Sequence, residues 1–170
     1  VQSSTYHHIG FTAAGVKTIG DLTVNGNFNY ASGTLSISGI QTFGGSSAAN
    51  MINSSSPTFL QIIVNKPGST LTLTSNGFTV GDLTVSSGSL VFGITTARTI
   101  TVNNSLSGTG DINMSGTTHN LILNGTDNVI SSLTTDANNS TVTYSKNGDQ
   151  TLFSSFSYRN LTLGGSGIKS

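Results

Sequence analysis

His7 and His8 form the densest group of metal-ligating side chains in the sequence, and six aspartates supply its only acidic side chains. Adjacent residues of a regular strand face opposite ways, so His7 and His8 cannot close on one metal ion from such a strand. His119 lies far away in sequence, and there is no cysteine. The acids are Asp21, Asp82, Asp111, Asp127, Asp136 and Asp149, with no glutamate, and most sit in turns such as Gly110-Asp111, Asp127-Asn128 and Gly148-Asp149. Glycoside cleavage needs two carboxylates flanking one bond, and turn-bound aspartates do not supply that pair. Asp21 and Asp82 recur in two Gly-Asp-Leu-Thr-Val copies, which marks them as structural. The stretch 124–129 (Asn-Gly-Thr-Asp-Asn-Val) matches part of one calcium-binding glycine-rich nonapeptide, but those sites require tandem copies. The expectation is a protein that is not an enzyme and holds no metal or cofactor.

Threonines offer a different chemistry. Thr70, Thr72 and Thr74 alternate with leucines, and Thr99 and Thr101 flank Ile100 as Thr141 and Thr143 flank Val142. Rows of hydroxyls and methyls on a flat sheet face could meet a glycan or an ice surface, and Thr70, Thr72, Thr74, Thr99 and Thr101 are the candidate binding face. Equivalent places hold Asn160/Thr162 and Asp82/Thr84, which interrupts the row. Glycan stacking also wants aromatic platforms, for which Tyr30 and Tyr144 are the loose candidates.

The elements that would position these groups are strands. Charged residues are 7% of the chain against about a quarter in ordinary soluble domains. Helix formers are scarce, while Thr, Val and Ile are frequent. Net charge is zero, with six scattered Lys and Arg, so there is no basic stripe for nucleic acid or anionic lipid. No 18-residue apolar run is present, and 7% aromatics without tryptophan do not suit the girdles of an outer-membrane barrel. Neither a nucleic-acid partner nor membrane insertion is expected.

Short apolar-x-apolar strands separated by Asn-Gly and Ser-Gly turns recur at 62, 83, 100, 121, 142 and 161, a step of about twenty residues. Sandwiches turn every 8–12 residues, whereas a parallel β-helix returns once per coil. The sequence therefore predicts an all-β, right-handed parallel β-helix (β-solenoid) of about twenty residues per coil. About eight coils at about 4.8 Å each make a rod roughly 40 Å long. The predicted inward columns are Leu22, Val24, Ile62, Val64, Leu83, Val85, Ile100, Val102, Leu121, Leu123, Leu161 and Leu163. Ile122 breaks the alternation, so its coil is expected to be covered on both faces or to sit in the other register.

A longer repeat is superimposed. Residues 153–170 superpose on 1–18 without a gap: Tyr158 falls on Tyr6, Gly167 on Gly15 and Lys169 on Lys17, an offset of 152 residues. A weaker copy begins at Phe59, with Ile62, Val64 and Gly68 in the matching places. The expected organisation is a single solenoid segment over 1–170, with half-modules at 1–58 and 59–152 and the next copy from 153. The chain reads as one period of a longer array, so Gly-Asp-Leu-Thr-Val is expected to resume near position 172.

The run Tyr158-Arg159-Asn160-Leu161-Thr162-Leu163, with Gly20-Asp21-Leu22-Thr23-Val24-Asn25-Gly26-Asn27, resembles the β-strand repeats of very large Bacteroidetes surface proteins. That resemblance implies a repeat segment of an adhesin-like or gliding-associated protein exported by the type IX route and displayed at the bacterial cell surface. Its partners would be adjacent repeats of the same polypeptide and, if it binds anything, surface glycans. The function expected is a rigid spacer, the alternative a glycan- or ice-binding module.

Overall fold

The computed structural model describes residues 4–135 and 139–170. Among the described residues the chain runs through sixteen strands. They are β1 (Ser4–Tyr6), β2 (Ile9–Phe11), β3 (Val16–Ile19), β4 (Leu22–Val24), β5 (Phe28–Tyr30), β6 (Thr34–Ile37), β7 (Ile40–Phe43) and β8 (Ala49–Asn53). There follow β9 (Thr58–Leu73), β10 (Phe78–Val91), β11 (Thr99–Ser107), β12 (Asp111–Asn113), β13 (Asn120–Leu123), β14 (Ser132–Thr134), β15 (Thr141–Tyr144) and β16 (Asn160–Leu163). Every pairing between them is parallel. The result is a β-solenoid of about seven turns with about 21 residues in each.

Register divides each coil into three faces. On face A, Leu22 pairs with Gln41, Gln41 with Ile62, Ile62 with Leu83 and Leu83 with Leu106. On face B, Ala49 pairs with Leu71, Leu71 with Leu90, Leu90 with Ile112 and Ile112 with Leu133. On face C, Phe78 pairs with Ile100, then Leu121, Val142 and Leu161. The expected succession from Leu83 to Ile100 is therefore corrected. Those residues lie on different faces, and their short 17-residue step is a partial turn rather than a coil. The long strands β9 and β10 bend round corners without losing strand geometry, so one element serves more than one face.

Alternation decides what faces inward. Leu22, Val24, Ile62, Val64, Leu83, Val85, Ile100, Val102, Leu121 and Leu123 are all buried in one apolar column system. Leu161 and Leu163 do not share that burial and are 40% and 51% exposed. They pair in register with buried Val142 and Tyr144, so they belong to the inward rows, but no later residue of the chain lies over them. Phenylalanines fill the lumen of the early coils, Phe11 to Phe28 to Phe59 to Phe78, with ring centroids 5.6–6.2 Å apart. Ile122 keeps the regular register, outward between Thr101 and Thr143 and half-buried.

The three copies of the longer repeat sit at three different corners. The head copy passes from β2 on face B to β3 on face C. The middle copy passes from face A to face B within β9, and the tail copy from β16 on face C to Lys169, which bridges to Gln150 on face A. In each, the repeated glycine takes a positive φ: Gly15 at 94°, Gly68 at 67° and Gly167 at 80°. An L side chain resists that conformation, so the motif encodes a corner rather than a face. By contrast, both Gly-Asp-Leu-Thr-Val copies lie on face A, three coils apart.

Leu83→Ala should cost about 2–5 kcal/mol of stability, because a fully buried column leaves a cavity that rigid neighbouring coils cannot fill. Thr84→Ala, on the outward side of the same strand, should cost under about 1 kcal/mol. Urea unfolding followed by far-ultraviolet circular dichroism separates the two, and equal losses would contradict the assigned facing.

Candidate functional site

The corners gather the polar chemistry. Strand backbones bond to the coils above and below, but at a corner some carbonyls turn into an interior without water, where an unpaired polar group is costly. Long polar side chains meet them there. Lys66, at the turn from face A to B, is fully buried and donates from Nζ to Asn25 O at 2.8 Å and Ser47 O at 3.2 Å. Those carbonyls belong to the same corner in the two preceding coils. Arg98, buried at the turn from B to C, donates from Nε to Ser75 O at 2.5 Å and from Nη1 to Phe92 O and Thr96 O at 2.7 and 2.8 Å. Burial lowers the pKa of both cations.

The same device recurs with neutral groups. One coil before Ser75, Asn53 donates from Nδ2 to Asn76 O and Gly77 O. One coil after Arg98, the His119 ring meets Gly93 O through Nε2 at 3.0 Å and accepts the Arg98 N–H at Nδ1. Ser140 follows, its hydroxyl donating to Met114 O and Thr117 O. At the turn from C to A, Gln41 donates to Gly20 O and Gly39 O, and Gln150 to Leu123 O and Gly125 O. His119 is thus a corner plug on the opposite side of the fold's length from His7 and His8.

The aspartates also serve corners. Asp21 Oδ1 accepts the Ile40 N–H at 2.8 Å and Asp149 Oδ1 the Ile168 N–H at 2.9 Å, each from the next coil. Asp82 accepts from Ser105 Oγ at 2.7 Å, and Asp111 from Ser89 Oγ at 3.1 Å. Asp127 is exposed in a turn, and Asp136 lies outside the described residues. His7 and His8 pack ring to ring at 4.2 Å, and His8 Nδ1 accepts the Asn27 N–H. Among the described residues no three His, Asp or Glu side chains gather in a metal-sized group.

The threonine candidates do not form one face. Thr70 and Thr72 lie on face B, Thr74 at the following corner, and Thr99 and Thr101 on face C. The turn from face B to face C, between β9 and β10 and again between β10 and β11, separates them. The ladder that exists on face C is Thr79, Thr101, Ile122, Thr143 and Thr162, beside Thr99, Asn120, Thr141 and Asn160. Tyr30 and Tyr144 are buried, so neither offers a stacking platform. The repeated aromatics also differ in setting: Tyr6 is exposed, Phe59 buried and Tyr158 half-buried.

Tyr144 anchors a small network near the end of the chain. Its hydroxyl accepts the Phe153 N–H at 2.9 Å and lies 2.9 Å from the Tyr158 hydroxyl, which donates to Phe153 O at 2.8 Å. Burial above all, and then the hydrogen bond with Tyr158, raises the Tyr144 pKa far above that of a free phenol. Burial also raises that of Tyr158.

No family model, curated protein or solved structure matches the chain. Its class is that of the β-solenoids, defined by stacked parallel coils.

Two outcomes follow. Lys66→Met should cost about 1–3 kcal/mol, since it strands two buried carbonyls; urea unfolding reads the loss, and no loss would show that the ammonium is dispensable. Folded Tyr144 stays neutral where an unfolded tyrosine ionises, so its stabilisation is complete below pH 10 and is lost as pH rises beyond it. Alkaline titration at 295 nm should show Tyr144 and Tyr158 ionising only as the circular dichroism signal collapses. Ionisation of all four tyrosines before that collapse would contradict the network.

Proposed function

We propose that the chain is a structural repeat segment that acts as a rigid spacer in a large extracellular bacterial surface protein of the adhesin type. The observation that carries this reading is that its stabilising contacts run from coil to coil along the axis. Each ladder bond, apolar row and corner plug ties a coil to the one or two beside it. Such an object is quasi-one-dimensional, and length is added by adding coils. Its natural partners are adjacent repeats of the same polypeptide.

The outward surface fits the role. Hydroxyls and amides take the place of charge, which limits long-range attraction to other macromolecules. The polar pairs on this surface, such as Asn124 Nδ2 to Asn103 Oδ1 at 2.9 Å and Ser145 Oγ to Asn124 Oδ1 at 2.5 Å, run along the rod and couple successive coils. The resemblance to Bacteroidetes surface repeats supports an extracellular setting and export by the type IX route.

A spacer should be silent in a glycan array and in an ice-recrystallisation assay. The competing reading, a glycan- or ice-binding face, rests on the interrupted face C ladder. Activity in either assay that disappears in the double variant Thr141→Ala/Thr143→Ala would replace the spacer by a binding module.

A further inference from the structure

Among the described residues, four buried side-chain atoms have no hydrogen-bond partner in the protein: Gln41 Oε1, Asn53 Oδ1, Arg98 Nη2 and Asp111 Oδ1. Three are acceptors, and one, Arg98 Nη2, is a donor. That donor shares its corner with one of the acceptors. Gln41 stands at the turn from C to A and Asp111 at the start of β12, whereas Asn53 and Arg98 both serve the turn from B to C.

The two side chains approach one stretch of backbone from opposite sides. Asn53 closes β8, residues 74–77 turn the corner of the next coil, and Arg98 lies on the coil after that. From one side, Asn53 Nδ2 reaches Asn76 O and Gly77 O, each at 3.4 Å. From the other, Arg98 Nε reaches Ser75 O at 2.5 Å. Three consecutive carbonyls therefore lie between the amide and the guanidinium. Nη2 flanks Nε on one edge of the planar guanidinium, while Nη1 is committed to Phe92 O and Thr96 O. Ser75 fixes Asn53 against the turn, its hydroxyl accepting the Asn53 N–H and donating to Asn53 O, both at 2.7 Å. Asn53 is 0% and Arg98 3% exposed, so bulk solvent reaches neither. The amide of Gln150 shows what a complete plug looks like: Nε2 donates to Leu123 O and Gly125 O, and Oε1 accepts the Lys146 N–H.

We propose that this corner binds one buried water molecule, which accepts from Arg98 Nη2 and donates to Asn53 Oδ1. The chemistry of the pair selects the ligand. An anion would suit the guanidinium but would face Asn53 Oδ1 and the carbonyls of 75–77. A metal cation would suit those oxygens but would face the guanidinium. Water is the small neutral molecule that both accepts and donates, and its second O–H has the carbonyls of 75–77 to meet. Asn53 and Arg98 stand two coil rises apart, about 9–10 Å. The bound water thus joins coils that are not neighbours, at the corner where the plugs already join adjacent ones.

A high-resolution crystal structure of the intact chain, with a second crystal soaked in bromide, tests the site without any substitution. The expected result is one isolated oxygen peak about 2.7–3.2 Å from both Nη2 and Oδ1, with no anomalous signal in the bromide crystal. In solution, water-selective NOE and ROE spectra of the ¹⁵N-labelled chain should show cross-peaks at Arg98 Nε–H and the Asn53 side-chain amide. Their signs should be opposite in the two spectra, as for a water held far longer than one at the surface. The proposal is overturned if Nη2 bonds directly to Oδ1 or to a carbonyl, if no peak joins the two atoms, or if bromide fills the position. It is equally overturned if both side-chain signals are observed and neither carries a water cross-peak.

Discussion

Peptide carbonyls at the corners of a coil must find donors where water does not reach, and the rest of this structure depends on that requirement. Along a face most interior strands bond the coils on both sides of them, while β6 and β14 pair on one side only. At a corner the backbone turns out of the ladder. Lys66, Arg98, Asn53, His119, Ser140, Gln41 and Gln150 meet it there, each donating to carbonyls of its own coil or a neighbouring one. Two of these donors carry formal charge, which is unusual for groups so buried. The carbonyl dipoles, converging from several coils, replace much of the hydration that burial removes, although Arg98 Nη2 is left without a partner in the protein. Coil stacking is thereby fixed at the corners as well as along the sheets.

The faces were legible from sequence because alternation on a strand has a single period and a clear physical cause. Leu22, Val24, Ile62, Val64, Leu83 and Val85 could be assigned inward without any structure. The corners were harder. A buried lysine paired with backbone carbonyls leaves no acidic partner to find, so Lys66 and Arg98 look like any scattered surface cation. A faint signal did exist: Lys17 and Lys169 each stand two residues after a repeated glycine, and each donates to carbonyls of its own corner. A lysine beside a corner glycine is therefore a candidate plug. The threonine rows divide between faces for a related reason. Thr70 and Thr72 end face B just before the corner at 74–77, and Thr99 and Thr101 follow the next such corner at 92–98, so residues read as one row occupy two faces.

The two internal repeats obey different rules. Gly-Asp-Leu-Thr-Val describes a face, and its copies fall on the same face. The Tyr/Phe motif describes strand, glycine corner and strand, and any of three corners can host it. Its 152-residue spacing is consequently not a whole number of coils, and head and tail copies point in different directions about the axis. Sequence similarity alone reads as translation along the rod; the structure adds a rotation. Copies of a corner motif can be duplicated with no need to preserve phase, provided that each begins on a strand and ends on one.

That freedom explains the interruption beside β14. The tail copy enters through Phe153 and Tyr158 on a coil whose preceding turn already carries Tyr144, and two hydroxyl–backbone bonds and one between the hydroxyls form where a ladder would otherwise run. The equivalent aromatics elsewhere do not do this. Phe59 has no hydroxyl, and Tyr6 pairs in register with Val24 rather than facing a second tyrosine. A single oxygen on an aromatic ring, set opposite another, is enough to exchange sheet pairing for a local knot. The one-sided pairing of β14 is thus a product of side-chain chemistry at Tyr144 and Tyr158, within a solenoid whose strands elsewhere on that face are paired on both sides from β5 to β12.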